Sequence, residues 1–151
     1  MFYLFIEEKE MAKLKNNKYI IEDFQIPAEE RSKAAANPEK LARLKPIVRL
    51  GGDIIEGSFH VGFVWALKPS TMKHDTEAHT HDYNEVLGFL GSDWTKPRDL
   101  GAEIEFWLED EKYILKNSCI IYVPKGMKHC PLKDIKIDRP FIHFGMFTKD
   151  K

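Results

Sequence analysis

The chain has 151 residues, 43% apolar, 12% aromatic and 31% charged, which supplies one globular core and leaves no room for a second. Its 23 Lys and Arg against 24 Asp and Glu give a net charge of −1, without the basic surplus that nucleic acid or an anionic membrane demands of a partner. Two cysteines, Cys119 and Cys130, are too few for a disulfide framework, so free thiols and a cytoplasmic location are expected.

The apolar opening from Met1 to Ile6 runs straight into Glu7 and Glu8. It lacks a basic flank and falls far short of the about 20 residues of a bilayer span, so it reads as an edge strand or as sequence ahead of a second start at Met11. Between Pro27 and Pro46 two short helices are predicted, the first through Ala34, Ala35 and Ala36. Asn37 can cap the second, Pro38 suits its first turn and Pro46 stops it at about Lys45. Residues 1–46 are therefore assigned to an N-terminal arm and residues 47–151 to a β domain.

From Ile47 onward short β segments are predicted at 47–50, 58–67, 71–79, 84–91, 101–108, 111–115, 119–123 and 140–147, with Gly, Pro and Asx punctuation between them. Strands in succession without helices imply an antiparallel sandwich or barrel. The polar stretch from Ser92 to Gly101 fits a surface loop.

Four residues stand out for chemistry: His79, His81, Glu85 and His129. If the first two lie on one strand they share a face. A turn through Asp82, Tyr83 and Asn84 can return Glu85 to that face, and the Pro124 and Gly126 turn would aim His129. Three neutral imidazoles and one carboxylate suit a divalent transition metal and leave coordination positions open. Packing or surface histidines are the alternative for the His79/His81 pair alone.

The spacing resembles the cupin superfamily. His79-Thr-His81-Asp-Tyr-Asn-Glu85 through Gly91 is similar to the first cupin motif, G-x5-H-x-H-x3-E-x6-G. Pro124-Lys-Gly126-Met-Lys-His129 is similar to the second, G-x5-P-x-G-x2-H-x3-N. The departures are at turns: Lys73 and Ser118 replace glycines, Gly91 comes one residue early, and Lys133 replaces the final Asn. The resemblance covers roughly residues 58–147. It implies an all-β jelly-roll barrel (double-stranded β-helix) with His79, His81, Glu85 and His129 as ligands to one Fe, Mn, Ni, Co, Cu or Zn ion.

Around that centre, an inward Glu85 would bring Leu87 and Phe89 inward too, with Phe59, Val61, Phe63 and Trp65 as a possible second wall. Catalytic candidates are Tyr83, whose hydroxyl could stand at the barrel mouth, His143, and Glu105 if strand 101–108 turns its charged face inward. The plainer alternatives are a packed histidine satisfied by the backbone and a solvated strand face carrying Glu103, Glu105 and Trp107. Cys130 should point away from the metal face, and Arg98 could meet a substrate carboxylate or simply face solvent.

The resemblance implies a metal-dependent enzyme of dioxygenase, isomerase, decarboxylase or lyase type acting on a small organic substrate. The alternative is a non-catalytic metabolite-binding or sensing barrel. No nucleic-acid or membrane partner is expected. A homodimer is compatible with the sequence, through Met1 to Ile6 or the helices at 28–45 reaching across a neighbouring barrel.

Overall fold

The computed structural model describes residues 14–26, 37–73 and 76–148. The apolar opening and the first predicted helix, around Ala34 to Ala36, lie outside the described residues. Among the described residues, a 3-10 turn at Asn17–Tyr19 and one short helix, α1 (Pro38–Arg43), precede the strands. Asn37 caps α1 as expected, its side chain accepting from the Lys40 amide at 3.0 Å, with Pro38 in the first turn. The helix stops at Arg43, two residues earlier than predicted. Leu44 is already extended and pairs with Ala66, and Lys45 precedes a proline, which disfavours helical backbone.

Eight strands follow: β1 (Leu44–Leu50), β2 (His60–Ala66), β3 (Glu85–Gly91), β4 (Asp99–Leu108), β5 (Glu111–Asn117), β6 (Cys119–Val123), β7 (His129–Ile137) and β8 (Phe141–Phe147). They form a five-stranded sheet in the order β1-β2-β8-β3-β6 and a three-stranded sheet in the order β5-β4-β7, antiparallel throughout. This is a jelly-roll barrel. No helix among the described residues is long and apolar enough to cross a membrane.

Two segments differ from expectation. The predicted strand at 71–79 is absent, and only isolated bridges, Thr76 to Leu132 and His79 to His129, tie that stretch to β7. Strand β7 itself was not predicted, because Pro131 and alternating charges disguise it. It lies beside β4, and Pro131 falls in the register shift between Phe106 and Leu108, where no ladder donor is required of it.

The core lies between the sheets. Leu87, Phe89, Val123 and Phe141 of one meet Leu100, Ile104 and Phe106 of the other, all buried. Burying each large side chain contributes about 1.5–3 kcal/mol. On β4 the expected division of faces holds, with Ile104 and Phe106 inward and Glu105 outward. On β2 it is reversed. Val64 and Ala66 face inward, whereas Phe63 meets Phe144 on the outer side, so Phe59, Val61, Phe63 and Trp65 form no inner wall. One-residue register decides which face a whole set occupies.

Two motif positions show how the turns close. A Cβ on Gly91 would stand 2.1 Å from the Asp99 carbonyl oxygen, so only glycine fits there. Ser118, which replaces a motif glycine, accepts from the Gly91 amide at 2.9 Å and donates to the Pro97 carbonyl at 2.8 Å. Its hydroxyl locks the 92–98 loop onto the end of β3.

Candidate metal centre

Glu85 opens β3, His129 opens β7, and His79 and His81 lie on the irregular segment before β3. His79 is joined to His129 by reciprocal backbone hydrogen bonds of 3.0 Å, which carries the first motif onto the second. A further bond of 2.9 Å, Gly126 amide to His81 carbonyl, fixes the second-motif turn against His81. Alternation along a strand is therefore not what gathers the histidines; the pairing of 76–79 with β7 is.

The side chains converge. His81, Glu85 and His129 place ligand atoms within 4.8 Å of one another, and so do His79, His129 and Cys130. His81 Nε2 is 3.1 Å and His129 Nε2 3.2 Å from the same oxygen, Glu85 Oε2. Ring centres stand 4.3 Å apart for His79 and His129, 4.7 Å for His81 and His129, and 5.8 Å for His79 and His81.

Each imidazole is held from behind in the same manner. His79 Nδ1 lies 2.8 Å from the Glu77 carbonyl oxygen, His81 Nδ1 3.0 Å from that of Tyr83, and His129 Nδ1 3.1 Å from that of Met127. A carbonyl can only accept, so all three Nδ1 atoms carry hydrogen. In the neutral rings each Nε2 then presents a lone pair. The buried His129 Nε2 has no hydrogen-bond partner, and a carboxylate oxygen facing two such lone pairs needs a cation between them. The donor set fits a divalent metal ion on this ground, and the backbone carbonyls are the outer partners that fix tautomer and ring orientation in such sites.

Burial pushes His129 below its usual range, the rings of His79 and His81 adding to the effect and the Met127 carbonyl and Glu85 opposing it. A neutral imidazole is the form that ligates. Tyr83 stacks on His81 at 4.1 Å and on Phe147 at 4.6 Å, and Phe147 stacks on His60 at 4.5 Å. This column of four rings was not foreseen, since stacking joins β2, β8 and the 82–84 bend, which no short sequence window contains. Burial, with Glu85 and Asp82, raises the Tyr83 hydroxyl above its ordinary range.

Cys130 corrects an expectation. It was to point away from the cluster, yet its sulfur lies among the ligand atoms of His79 and His129. The cause is its left-handed backbone, φ 64°, which breaks strand alternation so that His129 and Cys130 are both buried. Burial pushes its thiol up to about 12, so it is protonated at neutral pH.

The other candidates lie apart from the cluster. Glu105 accepts from the Trp107 indole at 2.9 Å on the outer face of β4. His143 donates from Nδ1 to the Gly88 carbonyl at 3.0 Å and stacks on Phe89, and burial pushes it below its usual range. It lines a cavity of about 670 Å³ that opens beside α1, together with Val64, Leu132 and the buried Arg43–Asp134 pair. None of the four proposed ligands lines that cavity. Arg98 is exposed, and its carbonyl accepts from Ser118.

Both motif segments thus meet at one end of a two-sheet antiparallel barrel. The barrel is the jelly-roll architecture that the resemblance of its two motifs implies. No protein-family profile matches the sequence, and no curated protein matches it. Solved structures similar to this barrel include the Schizosaccharomyces pombe Cnp3 cupin domain, at 18% identity over 71% of this chain and 61% of that one, TM-score 0.48. A sugar phosphate isomerase of a cupin superfamily from Silicibacter pomeroyi shares 12% identity over 76% and 64%, TM-score 0.49. A predicted oxalate decarboxylase from Thermotoga maritima shares 10% over 70% and 77%, TM-score 0.47. The chain thus spans about three-fifths of the length of the S. pombe domain.

Proposed function

We propose that this chain is a cupin and a metal-dependent enzyme in which His79, His81, Glu85 and His129 hold one divalent transition metal ion beside a small organic substrate. The reaction class is dioxygenase, isomerase, decarboxylase or lyase. The observation that supports this best is the single oxygen of Glu85 set 3.1 and 3.2 Å from two imidazole nitrogens whose rings are already tied to carbonyls on their far sides. When bound, such an ion supplies Lewis acidity or activates oxygen.

The chain's residues divide the work. Glu85 supplies the negative charge, which its 13% exposed side chain keeps only lightly hydrated. His129, 1% exposed, anchors the inner side. His79 is exposed and stands where a substrate can approach. Tyr83 holds the plane of His81 by its ring and its tautomer by its carbonyl.

Elemental analysis of the purified protein should find close to one equivalent of a divalent transition metal. His81→Ala and Glu85→Gln should each lose most of it with the β circular dichroism unchanged, and full loading of either variant would overturn the ligand assignment. Cys130→Ser should leave the metal content unaltered; a large loss would move the site to the trio that includes its sulfur. Substrate-dependent oxygen uptake or product formation tests turnover, and a ligand that only raises the melting temperature of the metal-loaded protein would speak against it.

A further inference from the structure

The sulfur of Cys130 is a donor that the proposed ligand set leaves unused. Two trios of ligand atoms, those of each trio within 4.8 Å of one another, meet at His129: His81 and Glu85 complete the first, His79 and Cys130 the second. Both trios offer two imidazoles. The third donor is a carboxylate oxygen in the first and a sulfur in the second. Cys130 is 3% exposed and His129 0%, so the sulfur and the shared imidazole are both withdrawn from water. Cys119, the other free cysteine, belongs to neither trio.

We propose that the centre has a second mode of occupancy, in which a thiophilic divalent ion is held by His79, His129 and Cys130 in place of the ion that Glu85 selects. The proposal rests on reading the cluster as a metal centre and adds which donor a given ion engages. Thiolate sulfur draws soft ions, whereas carboxylate oxygen suits hard ones such as Mn(II). One sulfur and two imidazoles with a position left open form a donor set that Zn(II) accepts, and Cd(II) with it. Because His129 serves both trios, an ion in one mode excludes an ion in the other.

Two features of the chain support this mode. His129, whose buried Nε2 has no hydrogen-bond partner, calls for a cation. The other feature is the backbone of Cys130. Neighbours on a regular strand point to opposite faces, and left-handed backbone is unfavourable for residues other than Gly, Asn and Asp. At φ 64° Cys130 takes that conformation, and its sulfur comes to the side of the histidines. Packing in the core accounts for the burial of Cys130, yet a residue that only fills space has no need of sulfur beside two imidazoles. Thiolate is the form that ligates, so binding breaks the S–H bond, forms the metal–sulfur bond and sends one proton to water.

The test takes the full chain, stripped with a chelator, and titrates it separately with Mn(II) and Cd(II). Cd(II) should give the wild type an ultraviolet sulfur-to-cadmium charge-transfer band, release a proton and expel bound Mn(II). Cys130→Ser should lose the band and weaken Cd(II) binding by more than the about 10–100-fold that loss of an outer partner brings, with Mn(II) affinity unchanged. Glu85→Gln should do the reverse, losing Mn(II) and keeping the band. Should Cys130→Ser fail to fold, the band must still be present in the wild type and in Cys119→Ser alike. Cd(II) bound without the band, a band that survives in Cys130→Ser or vanishes in Cys119→Ser, or Mn(II) and Cd(II) bound together would each overturn the second mode. A wild type that takes up neither ion overturns the metal centre itself.

Discussion

Tyr83 touches His81 twice, by its ring at 4.1 Å and by its carbonyl, which accepts from Nδ1 at 3.0 Å. Only the first contact depends on the side chain. Tyr83→Ala should therefore weaken metal affinity by about tenfold, the lower end of what outer partners of a metal site contribute. Tyr83→Phe should keep it, because ring and carbonyl both remain. Titration with a competing chelator checks this, and equal losses in the two variants would shift the role to the hydroxyl. The four ligand candidates were legible in the sequence because each stands at a motif spacing. The position of Cys130 was not, since it follows from one left-handed residue that nothing in the neighbouring sequence announces.

Among the elements, β3 depends on what stands at its end. Gly91 allows the Asp99 carbonyl to approach to where a Cβ would be 2.1 Å from it, and backbone cannot yield there as a flexible side chain could. Gly91→Ala should cost about 3 kcal/mol, at the high end for overpacking, read as a fall in the denaturation midpoint. Ser118→Ala should cost about 1 kcal/mol, because it leaves the Gly91 amide and the Pro97 carbonyl without their hydroxyl partner. A stability unchanged in both would show that the loop is not held at this point. Strands β2 to β6 and β8 were readable from β-branched and aromatic runs between turns. Strand β7 was hidden by its proline, and the stretch ahead of His79 was overread, because pairing with β7 and not local propensity shapes it.

At the scale of the whole molecule, acid should act through the histidines before the carboxylates. His143 and His129 both have folded-state pKa values pushed below the usual imidazole range by burial. The unfolded chain then binds protons that the folded one refuses, so the stability they contribute is fully present above about pH 6.5 and is lost as the pH falls below it. Metal-free protein should show a declining melting temperature from about pH 6.5 downward, ahead of any carboxylate titration. His143→Phe should flatten that slope if the barrel accepts the ring; a slope unchanged by it would assign the effect elsewhere.

Leu87 stands between Glu85 and Phe89 on one inward row of β3. None of the four ligand candidates lines the chamber beside His143. The exposed His79 leaves the cluster a side open to water. The barrel's inner volume then sets no ceiling on the dimensions of an incoming molecule: one slim group must fit, and the remainder can stay outside.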